Sequence, residues 1–236
     1  MSKQHIGTAK TLFIFIFTVL IGFILFILPN LFFGIFKING GLSGINLLFI
    51  ALFQFTTVTS LLYLSLKWLG KDFKFIGWNW KQWRNDGMLG IIIGLSWTAI
   101  QVLFIIPNTS GAERADIKQM LDMMDGTLLS TVSYIALGVI GGGITEEIYN
   151  RGYFINVLKS TFKNQKAGLW LSALLSVLFF ALGHMPSNAI EWIDILVPTV
   201  LYTLLFIYTE RLTASIFAHA IYNSTAILIV YYLYFG

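Results

Sequence analysis

The chain has 236 residues, 57% of them hydrophobic and 11% charged, with a formal charge of +4 and a mean hydropathy of +0.78. That balance excludes an ordinary water-soluble domain, because apolar runs spread over the whole length need lipid as their solvent. There is no cysteine, which excludes disulfides, thiolate nucleophiles and Cys-ligated metal clusters. The Lys and Arg residues lie in short loops and form no basic face, so no nucleic acid partner is expected.

Lys3 and Lys10 precede an apolar stretch that starts at Thr11 and runs to Phe33. This is too long for a signal-peptide core and lacks a small-residue cleavage site, so it reads as a retained first span. About 20 apolar residues cross a hydrocarbon core of roughly 30 Å, which divides the chain into spans near Thr11–Phe33, Ile45–Leu66, Gly87–Pro107, Leu128–Leu158, Ala167–His184, Ile193–Tyr208 and Leu212–Tyr234. The expected fold class is all-α: a polytopic transmembrane helix bundle of about seven spans, forming one integral membrane domain over residues 1–236.

Charge orients these spans. Lys67, Lys71, Lys74, Lys81 and Arg84 face only Asp72 and Asp86 between spans two and three, which marks that loop as cytoplasmic. The next loop is acidic, with Glu113, Asp116, Asp122 and Asp125 against Arg114 and Lys118, while Lys159, Lys163 and Lys166 return to the cytoplasmic side. Lys37 is a mild exception. A multi-pass protein of the cell membrane follows, in contact with membrane lipid, with the N-terminus inside and the C-terminus outside. Trp68, Trp78, Trp80 and Trp83 suit a headgroup-level aromatic belt, and Lys71–Asp86 could lie there as a short amphipathic helix. No internal repeat supports a repeat-built transporter. Gly138, Gly141, Gly142 and Gly143 read as a surface for close helix packing.

Span four carries the anomaly: Glu146, Glu147 and Arg151 within apolar sequence. An ionisable residue at the centre of a span costs about 2.5–3.5 kcal/mol on insertion scales and marks a functional site with a partner. Glu147 and Arg151 are four apart and can pair on one helix face. Glu146 points about 100° away, so it needs another partner and is suited to general acid or base work. His184 and His219 lie in or at the ends of apolar spans; His219 and Asn223 share a face, and Phe180 sits one turn before His184 to fix its ring and exclude water. His5 falls in the N-terminal tail and needs no role. Gln54, Gln101 and Glu210 read as interhelical or interfacial polar contacts. Taken singly, His219 or Asn223 is more simply a hydrogen bond between helices; an idle network would rarely keep six such groups in lipid.

At these residues the sequence resembles the CAAX protease and bacteriocin-processing (CPBP, or Abi) family of intramembrane endopeptidases. Its Glu-Glu-x-x-x-Arg motif is Glu146–Arg151, its Phe-x-x-x-His is Phe180–His184, and its His-x-x-x-Asn is His219–Asn223. The resemblance covers about Leu128–Tyr234, the expected catalytic core. It implies hydrolysis of a peptide bond, in a peptide or membrane-protein substrate, by an activated water without a covalent intermediate. Glu146 would be the base, His184 would hold and polarise the water, and His219 and Asn223 would donate to the oxyanion. Glu147 and Arg151 would orient the site, with Arg151 also in reach of a substrate carboxylate.

Glu146, His184 and His219 are the one set that could ligate a divalent ion such as zinc. They lie on three segments and lack the two-histidine spacing of an HExxH helix, so no metal or other cofactor is expected to be required. One count strains the arrangement: at about 1.5 Å per residue, Glu146 lies about 20 Å from Lys159 but His219 only about 12 Å from Arg211. Tilted or unevenly embedded helices would reconcile the two. The chain is shorter than the eukaryotic members of the family and resembles the bacterial branch, where peptide processing and bacteriocin self-immunity are the usual settings. The alternatives are a non-catalytic immunity or scaffold protein and a proton-coupled transporter, since buried Glu and His also form relays.

Overall fold

In lipid a spanning segment must satisfy its backbone internally, and a helix does so within one segment. The computed structural model, which describes residues 7–236 and so leaves Lys3 and His5 outside, accordingly contains helices and no strand among the described residues. They are α1 (Thr8–Phe36), α2 (Asn46–Trp68), α3 (Trp83–Asn108), α4 (Ala115–Met124), α5 (Leu128–Lys159), α6 (Gln165–Gly183), α7 (Ala189–Thr209) and α8 (Leu212–Phe235). All but α4 are long and apolar enough to cross a membrane. The seven expected spans are therefore present with ends shifted by a few residues, and the protein is an all-α polytopic bundle.

Two local readings are corrected. Lys71–Asp86 is not one amphipathic helix: Asp72 caps a short turn, Phe73–Ile76, and Gly77 at φ +85° ends it before α3 begins. A side chain at Gly77 would meet Phe206 and the Glu210 carbonyl, and the Gly77 carbonyl accepts the backbone N–H of Leu212. The segment folds inward for this reason instead of lying flat in the interface. In the acidic loop, α4 was not anticipated; it buries Ile117 and Met124 against Ile227 and Val230 of α8. Arg114 clasps this loop to α7 through Asp116 and Asp194, and Gln101 donates to Asp194 at 2.7 Å. Burial works against the Arg114 charge, but these hydrogen bonds outweigh it and hold the guanidinium above its ordinary range.

The largest apolar cluster joins α1, α2 and α5 around Ile148, Tyr149, Tyr153 and Phe154. Thr18 donates to Ser65 at 2.9 Å and Ser65 meets the Tyr153 hydroxyl at 2.6 Å, so a polar chain ties three helices inside that cluster. On the other side α3 presses on α8. A Cβ at Gly90 would strike the Ala214 carbonyl and come within 2.9 Å of the Ala218 nitrogen; one at Gly94 would reach the Ala218 carbonyl at 2.6 Å. Such backbone contacts are how small residues bring helices together in lipid. Gly90→Val is therefore expected to destabilise the bundle by about 1–3 kcal/mol, read as a lower unfolding midpoint in detergent.

The depth mismatch resolves as uneven embedding. A Cβ at Gly152 would lie 3.0 Å from the Ile76 carbonyl and 3.1 Å from Leu212 Cδ1, so α8 starts beside Gly152 and not beside Lys159. Counted from that contact, Glu146 and His219 stand six and seven residues away, at matching depth.

Candidate active site

Through Leu137–Ile155, α5 is wound wider than an α-helix, in i→i+5 fashion, and the Thr145 hydroxyl correspondingly donates to the Ile140 carbonyl. Such winding is rare and concentrates at functional sites. Here it carries the whole glycine run and the Glu-Glu-x-x-x-Arg motif. The glycines pack closely, as expected, and they also admit the site residues of α8. A Cβ at Gly143 would sit 2.7 Å from Ala220 Cβ, and one at Gly142 would lie 2.6 Å from Asn223 Nδ2 and 3.4 Å from His219 Nε2.

His219 lies between the two carboxylates. Its Nδ1 is 2.8 Å from Glu147 Oε1, and its Nε2 is 3.9 Å from Glu146 Oε2. A carboxylate paired with Arg151 can only accept, so the Nδ1 proton faces Glu147 and Nε2 faces Glu146. A gap of 3.9 Å is too long for a hydrogen bond, yet one water can touch both atoms. Glu146 thus finds its partner in the ring that Glu147 holds.

Glu147 and Arg151 are both completely buried, 3.0 Å apart. The guanidinium also lies 4.6 Å from the Phe180 ring centroid and 5.8 Å from that of Tyr202, and it donates to the Thr199 carbonyl. Of the motif residues, Glu146, Phe180 and His184 line a cavity, and Glu147, Arg151, His219 and Asn223 stand behind its walls. The Phe180 ring lies 4.4 Å from the His184 ring and 6.3 Å from that of His219. The Phe180 carbonyl lies 2.9 Å from His184 Nδ1, which must donate there and leave Nε2 as an acceptor. His184 itself caps the C-terminal end of α6, at the end of its span as expected, and is exposed.

Asn223 spends one amide hydrogen on the Gly138 carbonyl at 2.9 Å, which leaves one to donate elsewhere. Gly142→Ala is expected to displace this amide and lower activity more than stability, because the clash falls on a side-chain end. Gly143→Ala should lower both, since its Cβ would meet the Ala220 backbone at 2.9–3.0 Å. Comparing unfolding midpoint and activity of the two variants checks this.

Glu146, Asn150 and His184 line one cavity of about 350 Å³, whose other walls include Phe23 and Phe26 of α1 and Phe179. The first span, which sequence reasoning left without a role, supplies a wall of the site. Gln54 makes the expected interhelical contact, to the Phe26 carbonyl, and also lines the cavity. Tyr202 was missed: 2% exposed, it stacks on His219 at 4.9 Å, and an aromatic residue in an apolar run gave no signal. Asn150 was missed too, although a carboxamide one turn from Glu146 in lipid was a readable signal. Among the described residues, nine buried side-chain polar atoms lack a well-aligned hydrogen bond, and five of them belong to Glu147, Asn150, Arg151 and Tyr202, Arg151 Nη1 keeping its ion pair with Glu147. Folds normally pair such atoms, so the concentration marks the place where this one gives up hydrogen bonding.

No group of three or more His, Asp or Glu side chains among the described residues is placed to hold a metal ion. Glu146, His184 and His219 do not form such a set.

The fold and site define a polytopic membrane protein with a carboxylate–imidazole centre beside a largely apolar cavity. Residues 128–225 match the model of the family described as type II CAAX prenyl endopeptidase Rce1-like. The resemblance read from the three motifs is borne out over this segment, which holds all six candidate residues. No curated protein and no solved structure matches the chain.

Proposed function

We propose that the protein is an intramembrane endopeptidase that hydrolyses a peptide bond with a water activated by Glu146. The observation that carries this reading is His219 clamped by Glu147 with its free edge 3.9 Å from the Glu146 carboxylate, which itself lines the cavity. Glu146 takes a proton from the water as its oxygen bonds to the substrate carbonyl carbon, and the carbonyl electron pair moves onto oxygen. Held at Nδ1 by Glu147, His219 turns Nε2 toward that oxyanion, and the remaining Asn223 amide hydrogen donates to it. Donors of this kind contribute about 2.7–4 kcal/mol each where they have been removed. His184 Nε2 accepts from the water and holds it. When the carbon–nitrogen bond breaks, the proton on Glu146 passes to the leaving amine, so no covalent intermediate is needed.

The cavity lies toward the far end of α1 and at the end of α6 that carries His184, away from the Lys-rich ends at Lys67 and Lys159. With the N-terminus inside, the site opens toward the outer leaflet. We place the reaction in peptide processing, with bacteriocin self-immunity as the setting suggested by the bacterial branch of the family. The test is incubation of the purified protein in lipid nanodiscs with quenched fluorescent peptides, including one ending in a prenylated CAAX sequence, and identification of products by mass. Cleavage is expected; solute uptake into vesicles without any cleavage would reverse the reading in favour of a transporter.

A further inference from the structure

We propose that Asn150 forms a substrate subsite whose amide oxygen receives a backbone N–H from an extended peptide lying beside Glu146. This rests on the endopeptidase reading but is not contained in it, since Asn150 occupies a variable position of the Glu-Glu-x-x-x-Arg motif and no role has yet been given to it.

Four observations fix the amide. Asn150 Nδ2 is 3.0 Å from the Glu146 carbonyl, and because a carbonyl can only accept, the amide nitrogen is committed there and the oxygen is the free end. Ser176 of α6 donates to the Asn150 carbonyl at 2.7 Å, which anchors this turn from a second helix. The residue is only 4% exposed, and its Oδ1 is buried with no partner among the described residues. Finally, Asn150 lines the same cavity as Glu146 and His184.

What completes Oδ1 must bring a hydrogen-bond donor. Phe23, Phe26 and Phe179 around the cavity have none to give, and the Glu146 carboxylate is itself an acceptor. Asn30 and Gln54, also in the lining, repeat the arrangement: each spends one amide hydrogen on the Phe26 carbonyl, at 2.9 and 3.0 Å, and keeps an acceptor oxygen beside its second hydrogen. A cavity furnished with carboxamide acceptors fits a ligand that carries donors at regular intervals. An extended peptide backbone is such a ligand. A helical one is not, because its N–H groups are already bonded internally. The subsite therefore selects substrate that is unwound at the cut.

The experiment uses the reconstituted full chain and a cleaved quenched peptide in which each backbone amide near the cut, other than the scissile one, is replaced in turn by an ester that lacks the N–H. The wild type is expected to lose roughly 10- to 100-fold in kcat/KM with the ester at one position, because a site built to bond an N–H rejects an analogue without it. Asn150→Leu should lose a similar factor on the all-amide peptide, and its ester penalty at that position should shrink to within about 2-fold. Its unfolding midpoint should be unchanged or higher, since an unpaired buried acceptor has been removed; Asn150→Ala serves if the Leu variant does not fold. Identical ester profiles in wild type and variant overturn the subsite while leaving the endopeptidase intact. A wild type no better than Glu146→Gln on every all-amide peptide overturns the endopeptidase reading, and the subsite with it.

Discussion

Glu146→Gln is expected to reduce cleavage by about 10²–10⁴-fold, the range a general base contributes, with the unfolding midpoint in detergent unchanged. Gln matches Glu in shape but cannot take a proton. Stability should hold because the Glu146 side chain is partly exposed and the nearest imidazole atom, His219 Nε2, stands 3.9 Å away, beyond hydrogen-bond reach. Glu147→Gln makes the contrast. That carboxylate is completely buried and joins both Arg151 and His219, so its loss should lower activity and stability together. Equal effects of the two variants on the melting curve would show that Glu146 is structural, and activity surviving Glu146→Gln would remove proteolysis as the function.

The largest effect on folding is expected from Arg151→Leu. It strands the Glu147 carboxylate, completely buried, with His219 as its remaining partner, and breaking one side of a buried pair costs about 3–5 kcal/mol. Replacing both residues, Glu147→Leu with Arg151→Leu, should restore much of that stability, because a well-packed apolar pair avoids the cost of burying charge. Activity should not return in the double variant, since nothing then holds His219 at Nδ1. A double-mutant cycle on unfolding, with cleavage measured in parallel, separates the two roles. Additive destabilisation would mean that the pair is not coupled, and the positioning role of Arg151 would go with it.

The spans were legible because lipid forces each apolar run into a helix, and their ends fell within a few residues. The Glu147–Arg151 pair was legible for a related reason: charges in lipid are costly, and four-residue spacing puts them together. Other parts of the site had no such signal. Phe23 and Phe26 wall the cavity, yet α1 reads as uniformly apolar and nothing distinguishes its cavity side from its lipid side. Tyr202 acts through a stacked ring whose partner is 17 residues away on the next helix. The depth of His219 depends on where α8 starts, which Gly152, Ile76 and Leu212 decide through a contact no spacing rule contains. The wheel that sets Glu146 about 100° from Glu147 assumes α-helical winding, and α5 is not wound that way.

That winding ties the chemistry to the assembled molecule. Such winding is uncommon, and here Ala220 and Asn223 of α8 lie directly against its glycine run. A peptide covering residues 128–159 alone in micelles should relax to ordinary α-helical spacing and present the two carboxylates at altered azimuths. The geometry that couples Glu146 to His219 is then a late product of docking α8, and a newly inserted chain would be chemically silent until its last span arrives.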